Sequence, residues 1–95
     1  MPAYLVARVN VTDPEKYEDY KALSPGAIAA CGGKFIARGG KTHTLEGDEE
    51  TRRMVIVEFP DFEAAKACYD SELYRQAREA RRGAAEAQFV IVDGI

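Results

Sequence analysis

An α+β sandwich, with four antiparallel strands and the helices on one face in the order βαββαβ, is the fold this sequence predicts, and three observations carry the prediction. Four runs of β-branched and apolar residues stand at Tyr4 to Val11, Lys34 to Arg38, Met54 to Phe59 and Phe89 to Val92. Helical segments separate the members of each pair, and a polar connection from Gly39 to Thr51 joins the two units and can reverse the chain between them. A strand–helix–strand unit therefore occurs twice, which is the order of a ferredoxin-like sandwich. At 95 residues the whole chain, 1–95, makes one such domain.

Each element has a local cause. The first strand alternates a wholly apolar face, Leu5, Ala7, Val9 and Val11, with a mixed one, Tyr4, Val6, Arg8 and Asn10. A helix starts at Thr12-Asp13-Pro14-Glu15, either with Asp13 as the cap and Pro14 at the first helical position or through a capping box of Thr12 and Glu15. It carries Tyr17, Tyr20 and Leu23; Ser24-Pro25 then caps or restarts it, and Gly32-Gly33 ends it and releases the second strand. In the third strand Val55, Val57 and Phe59 oppose Met54, Ile56 and Glu58. Pro60-Asp61 opens a helix through Tyr69, and Asp70-Ser71 caps a further helix from Glu72 to Arg82 that Gly83 closes. Leu73, Ala77, Ala80 and Ala84 form a stripe suited to lying close on a sheet, while Arg81 and Arg82 suit the negative end of the helix dipole.

The pure strand faces should meet the helices. The mixed faces remain too apolar for open water, because Val6, Ile36, Met54, Ile56, Val90 and Val92 would form a contiguous patch. A small domain with about 5–15 kcal/mol of stability has little margin for such exposure, and the chain has no third layer of its own. A second identical copy, packed sheet against sheet, is the economical cover, so a homodimer is expected. Arg8 and Glu58, charged members of this face on neighbouring central strands, are expected to form a cross-strand ion pair that sets register.

Lys+Arg 13 against Asp+Glu 16 gives a net charge of −3, which argues against nucleic acid as a partner, although four arginines between Arg75 and Arg82 are a local exception. No apolar stretch approaches the ~20 residues of a membrane span, so no membrane partner is expected. The opening Met1-Pro2-Ala3-Tyr4-Leu5 shows no charged leader or cleavage site, and a cytoplasmic location is expected. In that compartment Cys31 and Cys68 are expected as two small buried thiols. Phosphate-binding loops, dinucleotide fingerprints and nucleophile elbows are all missing, and the lone His43 makes no metal or haem site, so no cofactor and no metal are expected.

Short motifs in a fixed order carry a family resemblance: Val11-Thr12-Asp13-Pro14 followed by Tyr17 and Tyr20, Gly32-Gly33-Lys34-Phe35, Arg38-Gly39-Gly40, Leu45-Glu46-Gly47, Glu58-Phe59-Pro60, Ser71-Glu72-Leu73-Tyr74, Arg78, and the closing Val90-Ile91-Val92-Asp93-Gly94. Over nearly its whole length the chain resembles the domain of unknown function 1330 family. It departs from that pattern at His43, Cys68 and Glu72. The resemblance implies a dimeric α/β barrel, whose ferredoxin-like subunits pair through their sheets, and a cleft between helices and sheet. That superfamily includes cofactor-free monooxygenases, muconolactone isomerase-like proteins, haem enzymes and ligand-sensing domains, so the fold leaves activity open.

Seven polar residues are candidates for such a cleft. Arg38 ends the second strand beside Gly39-Gly40, where a cationic fork next to free backbone N–H groups would suit a carboxylate or enolate oxygen; the alternative is an arginine pinning the loop through carbonyls or Glu46. His43, the only side chain with an ordinary pKa near neutrality, is a candidate general base or a solvated loop residue. Tyr17, Tyr20, Tyr69 and Tyr74 are candidates for a ring of phenols around an aromatic substrate, with Arg78 on its acid group; the alternative is amphipathic packing, with Arg75 and Glu79 as a surface pair. Two functions are consistent with these features: a cofactor-independent enzyme, isomerase- or monooxygenase-like, acting on a small carboxylated or aromatic metabolite, and a non-catalytic ligand-binding or accessory dimer.

Overall fold

The computed structural model describes residues 1–95 as β1 (Ala3–Val11), α1 (Pro14–Ala30), β2 (Lys34–Arg38), β3 (Arg53–Phe59), α2 (Phe62–Tyr69), α3 (Glu72–Ala80) and β4 (Ala85–Asp93). The strands form one antiparallel sheet in the order β2-β3-β1-β4, the ferredoxin-like arrangement. Period-two alternation sorts the sheet's residues: Ala3, Leu5, Ala7 and Val9 of β1 and Val57 and Phe59 of β3 are buried beneath the helices with Tyr17, Tyr20, Ala27 and Ile28 of α1. The fourth strand is longer than its apolar run predicts, because β1 pairs with it from Ala3↔Asp93 to Val11↔Ala85.

Side-chain caps start all three helices. Asp13 accepts from the Lys16 N–H at 3.2 Å with Pro14 beside it, which settles α1 in favour of the aspartate cap; Asp61 and Ser71 do the same for α2 and α3. Pro25 does not restart α1, which runs through it. Proline has no N–H to give to the carbonyl four residues back, and that carbonyl, of Lys21, accepts from Arg38 Nη2 at 3.3 Å instead.

On the opposite face, Ile56, Val6 and Val90 form one cross-strand row, and Glu58, Tyr4 and Val92 the next. Ile36, Val90 and Val92 are each about half exposed there, and all helices lie on the other side, in a body only 16 Å thick along its shortest axis. No helix is long and apolar enough to cross a membrane.

Several expectations are corrected. Arg8 and Glu58 do not pair: Arg8 faces Met54 while Glu58 faces Tyr4, four positions or roughly 13 Å along the strand. Glu58 instead meets Lys34 at 3.5 Å and accepts from the Tyr4 hydroxyl at 3.4 Å, and Arg8 lies 3.6 Å from Glu50. Hydrogen bonds from the Arg52 side chain hold the Glu50 carboxyl low, at about 2. Arg75 pairs with Glu72 at 2.9 Å rather than with Glu79, which meets Arg82. Of the stripe Leu73, Ala77, Ala80 and Ala84, Ala77 and Ala84 are buried but Leu73 is exposed; α3 packs along α1 and turns Tyr74 and Ala77 inward. Nor are the cysteines two separate thiols. Cys31 at the end of α1 and Cys68 at the end of α2 form a disulfide with Cα atoms 5.6 Å apart, because the two helices converge at those ends.

Candidate functional site

The break between α2 and α3 creates the site. Ser71 links the two helices: its hydroxyl donates to the Cys68 carbonyl at 2.7 Å and accepts from the Tyr74 N–H at 3.3 Å. The first of these helices covers the sheet with small inward residues, Ala65 and Cys68, while the second turns away onto α1. Between the break and β4 a cavity of about 520 Å³ opens, floored by Leu5, Phe59 and Ile91 and walled by Tyr69, Tyr74 and Phe89. Lys66, Asp70 and Arg81 are its charged lining residues. A volume of this size suits a small organic molecule.

Aromatic rings run through the site in one chain, with centroid separations of 5.2 Å for Tyr17–Tyr20, 6.2 Å for Tyr20–Tyr74, 5.8 Å for Tyr69–Tyr74 and 6.1 Å for Tyr69–Phe89. Within it the Tyr20 and Tyr74 hydroxyls are hydrogen-bonded to each other. One hydroxyl must donate to the other, so the second keeps a proton for a third oxygen. Burial pushes both phenol pKa values up, so the pair works as a proton-holding donor and not as a base near neutrality. Two cations sit over these rings: Arg78 at 4.2 Å from the Tyr69 centroid, and Arg81 between Tyr20 at 5.2 Å and Phe89 at 5.0 Å.

Of the residues the sequence singled out, Tyr69 and Tyr74 line this cavity; Tyr20 meets Tyr74 and Arg78 lies over Tyr69 without lining it, and Tyr17 packs behind Tyr20. Arg38 and His43 stand apart. Arg38 lies over the Phe35 ring at 4.7 Å and serves the Lys21 carbonyl, and the neighbouring Gly39 N–H, which would have been its companion donor, is spent on the Met54 carbonyl at 2.8 Å. His43 is exposed in the connection between β2 and β3. Sequence reading missed Arg81 as a site residue. Its signal was present, because Tyr74, Ala77 and Arg81 fall three and four apart on one helix face, the face that is buried.

Comparison with solved structures places this geometry among known folds. A protein of unknown function from Rhodopseudomonas palustris superposes with a TM-score of 0.77 at 22% identity, covering 99% of this chain and 82% of that one. A dimeric ferredoxin-like protein of unknown function from Jannaschia sp. CCS1 gives 0.74 at 13% identity over 99% and 100%. SnoaB, a cofactor-independent oxygenase from Streptomyces nogalater, gives 0.69 at 18% identity over 99% and 93%. No curated protein sequence matches. The family model described as Domain of unknown function (DUF1330) matches residues 2–95, almost the entire chain, and the protein belongs to that family.

Proposed function

We propose that the protein works as a homodimer, paired through its open sheet face, in which each subunit holds a small aromatic or carboxylated metabolite in the cleft beneath α2 and α3. The observation that carries this reading is the cavity of about 520 Å³ with aromatic walls and a buried phenol pair at its side. Dimerisation is supported by the half-exposed Ile36, Val90 and Val92 on a sheet with no cover of its own, and by a fold shared with a dimeric neighbour. Native mass spectrometry of the purified protein tests both parts, with a dimer carrying a retained small molecule as the expected result. A monomer in sedimentation at micromolar concentration overturns the pairing, and a dimer with neither a retained nor an added ligand overturns the cleft.

A catalytic version of this reading is favoured by the hydroxyl that the Tyr20–Tyr74 pair leaves free. Such a donor, in a water-poor wall, polarises a substrate oxygen and stabilises the negative charge that develops on it during isomerase- or monooxygenase-like chemistry without a cofactor. SnoaB is an example of cofactor-independent oxygenation on this fold. A candidate base is less evident, since Arg38 and His43 do not line the cavity. Non-catalytic ligand binding by the same cleft is therefore the competing version. Oxygen uptake with a panel of hydroxynaphthalenes separates them: turnover lost in Tyr74→Phe supports the enzyme, and binding without turnover supports the binder.

A further inference from the structure

We propose that Arg81, assisted by Arg78, is the carboxylate anchor of this cleft, so that its ligand class is the aromatic carboxylic acids. The inference rests on the cleft reading above and adds the residue that selects the ligand. Beside the apolar cavity lies a second, polar recess of about 450 Å³, and Tyr69 and Arg81 line both. Of the two cations that line the first, Lys66 has Glu63 as an acidic partner at 3.8 Å, which leaves Arg81 for the polar end of a bound molecule. The recess holds four arginines, but they are not equivalent. Arg75 and Arg82 are neutralised by Glu72 at 2.9 Å and Glu79 at 3.4 Å. Arg78 and Arg81 have no acidic partner, and the Nε of each is buried without a hydrogen-bond acceptor.

An unpartnered buried guanidinium N–H is costly, and each fork also carries terminal N–H groups, two of which a carboxylate accepts from at once. Both cations are already positioned by the rings they lie over, Arg78 by Tyr69 and Arg81 by Tyr20 and Phe89, so little side-chain freedom is lost on binding. Aromatic walls with a prepositioned cationic fork at one end match a flat ring bearing one acid group. The acid is recognised at Arg81 and the ring by Tyr69 and Phe89.

The test compares 2-naphthoate with its uncharged counterpart 2-naphthamide by isothermal titration calorimetry on the intact protein. Wild type is expected to bind the acid at least ~10-fold more tightly, the range for a hydrogen bond to a charged group. Arg81→Met, which keeps an apolar stem, should erase the preference, Arg81→Lys should restore part of it, and Lys41→Met, in the exposed connection between β2 and β3, should leave it unchanged. Equal affinity for acid and amide in wild type overturns the anchor and leaves the cleft standing, a result that needs no variant to fold. A preference that survives in Arg81→Met also overturns it. Binding of neither probe overturns the cleft and the anchor together.

Discussion

The two strand–helix–strand halves cover the same sheet with different results. The first half uses one helix, Pro14–Ala30, whose inward residues include Tyr17, Tyr20 and Ile28, and the space beneath it closes to about 30 Å³. The second half uses two helices, Phe62–Tyr69 and Glu72–Ala80, and the part over the sheet presents only Ala65 and Cys68, leaving about 520 Å³. Cavity and core are thus made by the same topology with side chains of different size. The lesson is that internal repetition of the fold does not repeat the site, because packing volume is decided residue by residue.

That contrast can be broken or sharpened by experiment. The largest effect should come from the Cys31–Cys68 disulfide, which ties the end of α1 to the end of α2 across 37 residues of sequence. Reducing it releases a loop of that length in the unfolded chain and should cost about 3–4 kcal/mol. Urea denaturation with and without reductant reads this, and an unchanged midpoint would mean that the halves are not coupled through it.

Next in size is a paired substitution. Ala27→Leu adds volume to the closed half, where Ala27 is fully buried, and should destabilise by about 1–3 kcal/mol. Ala65→Leu adds the same volume beside the cavity and should cost clearly less while weakening any cleft ligand. Equal destabilisation in the two variants would remove the distinction between the halves.

The phenol pair joins the halves and gives a pH signature. Burial raises the Tyr20 and Tyr74 pKa values above their ordinary 10.0, so the folded chain keeps protons that the unfolded chain releases. Their contribution is therefore complete below pH 10 and is lost as pH rises above it, by up to about 1.4 kcal/mol per pH unit for each phenol. Stability measured between pH 9 and 11 should fall in wild type and be flatter in the double variant Tyr20→Phe/Tyr74→Phe. The smallest effect should come from Arg38→Ala, which strips the Lys21 carbonyl of its substitute donor and should cost about 0.5–1 kcal/mol, with no loss of binding in the second-half cleft. Lost binding would return Arg38 to the site.

Much of the fold was legible because its causes are local. Asp13, Asp61 and Ser71 stand directly before the helices they cap, and Leu5, Ala7 and Val9 alternate with Val6 and Arg8 whatever lies across the strand. Of the cleft candidates the sequence offers, Tyr69 and Tyr74 line the cavity, while Tyr20 and Arg78 lie against those two rings and outside its lining. Arg38 was harder to place. Its partner is the carbonyl that Pro25 leaves free, a contact between two elements that neither segment announces alone.

The sequence by itself determined the element order, the two-faced sheet and the apolar surface left without cover, because spacing, caps and glycine turns act within a few residues. Tertiary structure alone decided that Glu58 meets Lys34 while Arg8 meets Glu50, that Cys31 finds Cys68, and that Arg81 reaches the cavity without an acidic partner. These depend on strand register and on the angle at which helices converge. Both are global properties: a shift of one residue or one helical turn would exchange every partner while leaving each local pattern intact.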